Sequence, residues 1–458
     1  MTAPMTLPEA LRVAIIGAGP AGFFLAEKLL AQNDVPVSVD LYERLPTPYG
    51  LVRFGVAPDH EKIKNVTRQF DKTAVRPGFR YFGNVDVGSH VTLDDLRRHY
   101  HQICFTTGAQ TDRHMGIPGE DLARSHPATE FVAWYNGHPD FTDRTFDLSV
   151  ERVAVVGVGN VAVDVARILC RTEEELAETD IAPYALDALR ASRVKEVYLL
   201  GRRGPVQAAF TNPEVKELGE LPGADVRVPP DEVTLDPVSQ AELDRGEDHS
   251  APKKVEILRE FSTRSRAGRS RLLTIRFLVS PVELLPDGNG AVQAMRLVKN
   301  RLVAGKDGAA RAEPTTEFEE LPVGLVFRSV GYRGMPIPGL PFDERAAIVP
   351  NDGGRVAPGL YVSGWIKRGP TGVIGTNKPD AAETATAMLA DARNGAGPSP
   401  SESRTAIESL LRQRQPALVT FPDWQKLDRL ETERGKALGR PRLKVTSVEE
   451  MIAALGRG

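Results

Sequence analysis

Two stretches of the chain share one pattern of apolar and small residues. Residues 13–30 read VAIIGAGPAGFFLAEKLL, and residues 153–169 read VAVVGVGNVAVDVARIL. In each, four apolar residues lead into a glycine-rich turn, after which apolar residues recur with helical spacing. An apolar run bounded by glycine predicts a buried strand, and the spacing that follows predicts a helix. Each stretch is therefore predicted to form a strand, a tight turn and a helix.

The first turn has the spacing of a phosphate-binding loop. Gly17 would make the turn, Gly19 would let backbone N–H groups approach a pyrophosphate, and Gly22 would let the helix pack closely on the strand. A further apolar run, residues 35–42, ends in Glu43, whose carboxylate can accept hydrogen bonds from ribose hydroxyls. The first stretch therefore predicts a dinucleotide site with its phosphates at a helix N-terminus.

The second turn repeats this spacing with one substitution. Gly157, Gly159 and Ala162 stand where the first turn has its three glycines, and alanine is allowed at the third position. The next predicted strand, residues 196–200, is followed by the pair Arg202–Arg203 instead of an acidic residue. Guanidinium groups donate to a 2′-phosphate that a carboxylate would repel, so this site is predicted to prefer NADP(H) to NAD(H). The alternative is a solvated arginine pair.

The rest of the pattern divides the chain into two predicted domains. A third apolar run, residues 102–106, ends at Thr107-Gly108-Ala109, which resembles the short motif where many flavoproteins with two dinucleotide sites cross between domains. Near the end, residues 359–380 give a strand and a glycine-rich loop before a helical run. We therefore expect an α/β protein with two Rossmann-like dinucleotide-binding domains. One would comprise residues 1–108 and 326–458, with a C-terminal helical extension, and the other residues 109–325.

Composition and charge exclude several classes of protein. A chain of 458 residues is too long for one core, and its net charge of −3 gives no general reason to expect nucleic acid. No apolar run approaches the roughly 18 residues of a membrane span, and residues 1–12 lack the pattern of a signal peptide, so a cytoplasmic protein without membrane insertion is expected. The two cysteines, Cys104 and Cys170, lie in apolar settings. They favour core packing over a disulfide framework, a dithiol relay, an iron–sulfur cluster or a metal site.

Residues 253–276 are locally basic, with eight lysines and arginines against two glutamates. Such a run is usually a solvated face. The alternative is a docking surface for an acidic partner.

Six motifs occur in order along the chain: GAGPAG, LPTPYGLVRFGVAPDHEKIK, VGNVAVDVARIL, GRRGPVQAAFT, RSVGYRG and GWIKRGPTGVIGTNK. Together they resemble the adrenodoxin reductase family, which includes bacterial NADPH-ferredoxin reductases, and the resemblance covers nearly the whole chain. It implies FAD in the first domain, NADPH in the second, hydride transfer from NADPH to FAD, and single-electron transfer to a ferredoxin-type iron–sulfur protein.

The resemblance also implies the residues of each site. Those expected to bind FAD are Gly17, Gly19, Ala21, Gly22, Glu43, Leu51, Val87, Gly364, Trp365, Gly372 and Ile374. Those expected to bind NADP(H) are Gly157, Gly159, Asn160, Val161, Ala162, Val163, Arg202, Arg203, Glu214, Trp365, Gly372, Val373 and Ile374. His60, Asp164 and Glu214 resemble positions near the flavin and nicotinamide, where they could orient groups or relay a proton. For His60, packing at a helix start is the alternative.

Two other functions are compatible with these motifs. A diaphorase-like enzyme would deliver the same electrons to quinones or dyes. A dinucleotide-binding protein without turnover would use both domains only as a scaffold.

Overall fold

The chain forms two compact units in the computed structural model, which describes residues 10–306 and 308–457. The first unit comprises the chain up to Val56, His60–Thr111, and the chain from Tyr332 onward. The second comprises Ala57–Asp59 and Asp112–Gly331. Each unit is therefore assembled from separate segments of the sequence.

The N-terminal part supplies the first half of the first unit. Its elements are β1 (Leu11–Ile16), α1 (Pro20–Leu30), β2 (Val37–Tyr42), α2 (Leu51–Phe54), α3 (Glu61–Lys64), α4 (Thr67–Ala74), β3 (Phe79–Phe82), α5 (Leu93–His99), β4 (Gln102–Phe105) and β5 (Thr111–Asp112). All six side chains of β1 are buried, as expected of a parallel strand that is covered on both faces.

The middle of the chain supplies nearly all of the second unit. Its elements are β6 (Ser125–Pro127), α6 (Ala128–Tyr135), β7 (Arg152–Val156), α7 (Asn160–Cys170), α8 (Glu173–Ala177), α9 (Pro183–Arg190), β8 (Glu196–Leu200), α10 (Asn212–Leu218), β9 (Ala224–Arg227), α11 (Pro237–Arg245), α12 (Ala251–Thr263), β10 (Arg271–Arg276), β11 (Val279–Pro286), β12 (Val292–Ala304), β13 (Ala310–Pro322) and β14 (Leu325–Arg328).

The C-terminal part returns to the first unit. Its elements are β15 (Tyr332–Arg333), β16 (Arg355–Ala357), β17 (Leu360–Val362), α13 (Trp365–Arg368), α14 (Asn377–Arg393), α15 (Arg404–Arg414), α16 (Phe421–Lys436) and α17 (Val448–Ala454). None of the helices in the described residues is long and apolar enough to cross a membrane.

Each unit is built on one six-stranded sheet. The strand order is β16-β17-β4-β1-β2-β3 in the first and β6-β14-β7-β8-β10-β9 in the second, and every pair is parallel except β16 with β17. The second unit adds a three-stranded antiparallel sheet, β11-β12-β13. Strand order reverses beside β1 and beside β7, where open parallel sheets bind ligands at their carboxyl ends. The predicted fold class, with two Rossmann-like folds, is confirmed.

Candidate functional site

The first glycine loop follows β1 and has little room for side chains. Gly17 has φ +108°, and a Cβ there would lie 2.7 Å from the carbonyl oxygen of Thr106. A Cβ on Gly22 would lie 2.2 Å from the carbonyl oxygen of Gly17, so α1 approaches the loop as closely as the spacing predicts. Gly19 differs, because a Cβ there would meet nothing within 4 Å. It caps α1 without a side-chain hydrogen bond, which leaves the first N–H groups of the helix available to an anion.

Glu43 stands beside this loop at the end of β2. One of its oxygens accepts the N–H of Ala18 at 3.0 Å, and the other accepts the N–H of Leu45 at 3.2 Å. Burial raises the pKa of Glu43, and these two hydrogen bonds oppose that rise. Each oxygen retains acceptor capacity for a ribose hydroxyl. The Thr47 hydroxyl is buried and has no hydrogen-bond partner within the described residues, which is expected where a polar ligand fills a pocket.

Several other residues predicted to bind FAD adjoin the first loop. Gly364 has φ +78°, and a Cβ there would lie 2.6 Å from the Cβ of Ala21, so the end of β17 meets the first turn of α1. Leu51 opens α2 directly after Gly50, where a Cβ would lie 3.1 Å from the Cα of Gly19. Val87 packs against the core cluster that contains the end of β1. Thr47 was missed in the sequence because a lone threonine in a loop carries no signal.

The segment after β17 contains the remaining predicted residues of the first unit. Trp365 donates its indole N–H to the carbonyl of Thr371 at 3.1 Å. Gly372 has φ +79°, and a Cβ there would lie 2.4 Å from the hydroxyl of Thr376, so the turn excludes a side chain. Val373 is exposed, with 53% of its surface accessible, and Ile374 is half-buried. The loop thus presents backbone and small groups rather than reactive side chains.

The second glycine loop follows β7 in the same manner. Gly157 has φ +131°, and a Cβ there would lie 2.1 Å from the carbonyl oxygen of Ser329. A Cβ on Gly159 would meet nothing within 4 Å, and Gly159 caps α7 without a side-chain hydrogen bond. The Asn160 side chain accepts the N–H of Thr211 at 2.9 Å, which fixes the start of α10.

The other predicted residues of α7 divide by burial. Ala162 and Val163 are fully buried, whereas Val161 is half-buried. Ala162 and Val163 therefore support the loop by packing, and only their backbone could face a ligand.

Arg202 and Arg203 directly follow β8, the strand next to the second glycine loop. Arg202 is exposed and Arg203 is half-buried. Burial and the positive charge of Arg202 lower the pKa of Arg203, and the negative charge of Glu242 only partly opposes this. Within residues 10–306 and 308–457 neither guanidinium forms an ion pair, and Arg203 donates only a long hydrogen bond, 3.4 Å, to the carbonyl of Gln207. Two adjacent cations that form no ion pair within the described residues fit a phosphate dianion, which would relieve their repulsion.

The three candidate relay residues occupy different elements. His60, 9% exposed, immediately precedes α3 in the first unit, and its carbonyl accepts the N–H of Ile63 at 3.0 Å. Asp164 lies on α7 and Glu214 on α10, both in the second unit. Arg167 links these two carboxylates, with hydrogen bonds of 2.7 Å to Asp164 and 3.4 Å to Glu214. Arg167 was missed in the sequence, where only its spacing of three residues from Asp164 hinted at an ion pair.

The basic run of residues 253–276 serves two purposes in the second unit. Lys254, Arg271 and Arg276 are buried or half-buried and bind backbone carbonyls or carboxylates, so they support the fold. The other five cations are exposed: Lys253, Arg259, Arg264, Arg266 and Arg269. This exposed set, on and after α12, is the part of the run most accessible to another molecule, although Lys253 and Arg264 also pair with Glu256 and Glu260 on α12.

Comparisons with known proteins extend this description. A family model described as pyridine nucleotide-disulphide oxidoreductase matches residues 11–217. The NADPH-ferredoxin reductase FprA of Mycobacterium tuberculosis (strain ATCC 25618 / H37Rv) is 47% identical over 456 residues, covering 96% of this chain and 98% of that protein. The mitochondrial NADPH:adrenodoxin oxidoreductase of Homo sapiens is 44% identical over 461 residues, covering 97% and 92%.

Solved structures give the same result. The structure of Mycobacterium tuberculosis FprA in complex with NADPH is similar to this chain with a TM-score of 0.92 and 45% sequence identity. The match covers 98% of this chain and 100% of the FprA chain in that structure. Both units therefore have counterparts in one relative.

Proposed function

Because the chain belongs to the family of NADPH-ferredoxin and adrenodoxin reductases, as its motifs predicted, we propose that it is an FAD-dependent NADPH-ferredoxin reductase. It takes a hydride from NADPH and passes single electrons to a ferredoxin-type iron–sulfur protein. The observation that carries this proposal is the pair of glycine loops, one beside Glu43 and one beside Arg202–Arg203, in a chain similar to these reductases over its full length.

The first unit holds FAD in this proposal. Gly17, Gly19 and Gly22 shape the loop for the pyrophosphate, and Glu43 takes the ribose hydroxyls. The close approach at Gly364 leaves room beside the loop only for small groups. The other residues that we assign to FAD are Ala21, Leu51, Val87, Trp365, Gly372 and Ile374. FAD accepts a hydride and releases its electrons singly.

The second unit holds NADPH. The first N–H groups of α7, after Gly159, face the pyrophosphate, and Arg202–Arg203 bind the 2′-phosphate. The remaining residues that we assign to NADPH are Gly157, Asn160, Val161, Ala162, Val163, Glu214, Trp365, Gly372, Val373 and Ile374. Hydride transfer needs the two rings held face to face, so the protein contributes chiefly orientation. His60, Asp164 and Glu214 orient groups or hold a proton near the rings.

The partner is an acidic iron–sulfur protein. The exposed cations on and after α12 supply a positive surface that raises its rate of association, and salt screens that attraction over about 10 Å at 0.1 M. For location we propose the cytoplasm, which suits the two buried free thiols Cys104 and Cys170. Cell fractionation with an antibody to the protein tests that assignment.

The test of the function uses the purified holoprotein under anaerobic conditions. NADPH should bleach the flavin absorbance, and a ferredoxin should then be reduced. Ferricyanide and a quinone serve as control acceptors, because they need no docking surface. Rapid reduction of the quinone with no reduction of any ferredoxin would make the protein a diaphorase, and no bleaching by NADPH would leave only a binding protein.

A further inference from the structure

Arg167 is a fully buried cation on α7. The exposed fraction of its side chain is 0%, and its guanidinium faces carboxylates from three parts of the second unit. It donates to the two oxygens of Asp59 at 2.7 and 3.0 Å, to Asp164 at 2.7 Å and to Glu214 at 3.4 Å. A buried charge is tolerated only when it is paired and hydrogen-bonded. One cation therefore connects three carboxylates.

The three carboxylates reach Arg167 from different elements. Asp59 is the last residue of the segment Ala57–Asp59, which belongs to the second unit and directly precedes His60 in the sequence. Asp164 lies one helical turn before Arg167 on α7. Glu214 lies in the first turn of α10, and only 12% of its side chain is exposed. Arg167 is therefore the common point that sets the positions of all three.

We propose that Arg167 is a positioning residue for hydride transfer, holding Asp164, Glu214 and the segment that leads to His60 in their working arrangement. This inference rests on the proposed function. Arg167 acts through the carboxylates, because the N–H donors of its planar guanidinium form hydrogen bonds with them. Its positive charge also favours the ionised form of both Asp164 and Glu214.

Other charged groups around Arg167 sharpen this assignment. Arg171, one turn later on α7, donates to Asp59 at 2.6 Å and pairs with Glu175 at the start of α8. Burial lowers the pKa of Arg167, but the charges of Asp164, Asp59 and Glu214 outweigh it and raise that pKa. Arg167 thus stays protonated throughout the accessible pH range. A pH effect of its removal would have to come from the carboxylates that it faces.

The test compares Arg167→Met and Arg167→Lys with Arg171→Met as the matched control. Arg171 shares Asp59 and the same helix, and its other partner is Glu175. The measurement is the rate of flavin bleaching by NADPH from pH 5 to 9 in the holoprotein, together with the Kd for NADP⁺ and the FAD content. Ferredoxin reduction by the wild-type protein is measured in parallel.

Arg167→Met should retain FAD and lose less affinity for NADP⁺ than limiting rate, since Arg202–Arg203 are intact and Glu214 is only one of the residues assigned to NADPH. Its limiting rate should fall by about tenfold or more, because misplaced groups slow a reaction that depends on orientation. The acid limb of its pH profile should move up by about one unit, because carboxylates without their cation protonate at higher pH. Arg167→Lys keeps the positive charge but loses the planar set of guanidinium donors, so it should restore most of the pH profile and only part of the limiting rate. Arg171→Met removes one contact to Asp59 but leaves Arg167 with its contacts to Asp164 and Glu214, so its rate and pH profile should change much less than those of Arg167→Met.

A wild-type rate and pH profile in Arg167→Met would overturn the inference, as would an equal change in Arg171→Met. If Arg167→Met fails to fold, Arg167→Lys provides the test. A limiting rate equal to that of wild type would refute the positioning role, whereas a lower limiting rate with an unchanged pH profile would support it. A wild-type protein that NADPH does not bleach would instead refute the proposed function. The two failures are therefore distinguishable.

Discussion

Replacing Arg202 and Arg203 together with glutamine should remove the preference for NADPH. Arg203 is half-buried, and a charge-assisted hydrogen bond from such a group contributes about 1.5 to 3 kcal/mol. Arg202 is exposed, so its contribution is nearer about 0.2 to 1 kcal/mol. The combined loss of about 2 to 4 kcal/mol corresponds to a fall of roughly 25- to 700-fold in kcat/KM for NADPH.

The structure predicts a second effect on the protein without coenzyme. Burial and Arg202 both lower the pKa of Arg203, so the two charges oppose each other in the free protein. The double variant should therefore unfold at the same temperature as wild type or slightly higher, although it binds NADPH more weakly. A variant that was only misfolded would lose both its thermal stability and its affinity for NADPH.

The assay is steady-state reduction of ferricyanide with NADPH and with NADH as donors. NADH lacks the 2′-phosphate, so its kcat/KM should change by less than about threefold. Arg193→Gln removes another exposed arginine of the second unit and controls for general charge loss. Equal losses with the two donors would refute the assignment of Arg202–Arg203 to the phosphate.

The other predictions concern the cofactor, the fold and the partner. Gly19→Ala should leave the apoprotein as stable as wild type, because its Cβ would meet nothing within 4 Å, yet weaken FAD binding at least tenfold in a fluorescence titration; unchanged affinity would contradict the loop assignment. Glu431→Gln should lower the free energy of unfolding by about 3 to 5 kcal/mol in urea, because it breaks a buried pair with Arg53 at 2.6 Å, whereas exposed Glu433→Gln should not. A variant with glutamine at four exposed cations should reduce ferredoxin more slowly at low salt but reduce ferricyanide at the wild-type rate; the four are Arg259, Arg264, Arg266 and Arg269. An unaltered salt dependence would show that residues 253–276 are only a solvated face.

Local sequence pattern was sufficient for the parts of the fold that carry the glycine loops. The predicted strand at residues 196–200 is β8 (Glu196–Leu200), because its apolar residues are bounded by charge and glycine. Residues 61–74 contain two helices, α3 and α4, and the two residues between them, Asn65 and Val66, keep right-handed helical backbone angles. The break is therefore confined to the hydrogen-bond pattern, a detail of helix boundaries that residue types alone do not predict.

Long-range electrostatic contacts lay beyond sequence reasoning. Glu431, on α16, is fully buried and accepts hydrogen bonds from both terminal nitrogens of Arg53, on α2, which lies 378 residues away in sequence. Arg167 meets Asp59 across 108 residues. Each partner alone looks like an ordinary charged residue, and only the fold brings the opposite charges together. The same reason hid the split of the basic run into structural and exposed cations.

The proposed electron path is tested most directly by mixing the holoprotein with NADPH and a [2Fe–2S] ferredoxin in an anaerobic stopped-flow instrument. We expect the flavin absorbance to bleach first and the ferredoxin to be reduced next, with about two ferredoxins reduced for each NADPH, because a hydride carries two electrons. Flavin bleaching without ferredoxin reduction, while ferricyanide is still reduced, would contradict the assignment of this chain as a ferredoxin reductase.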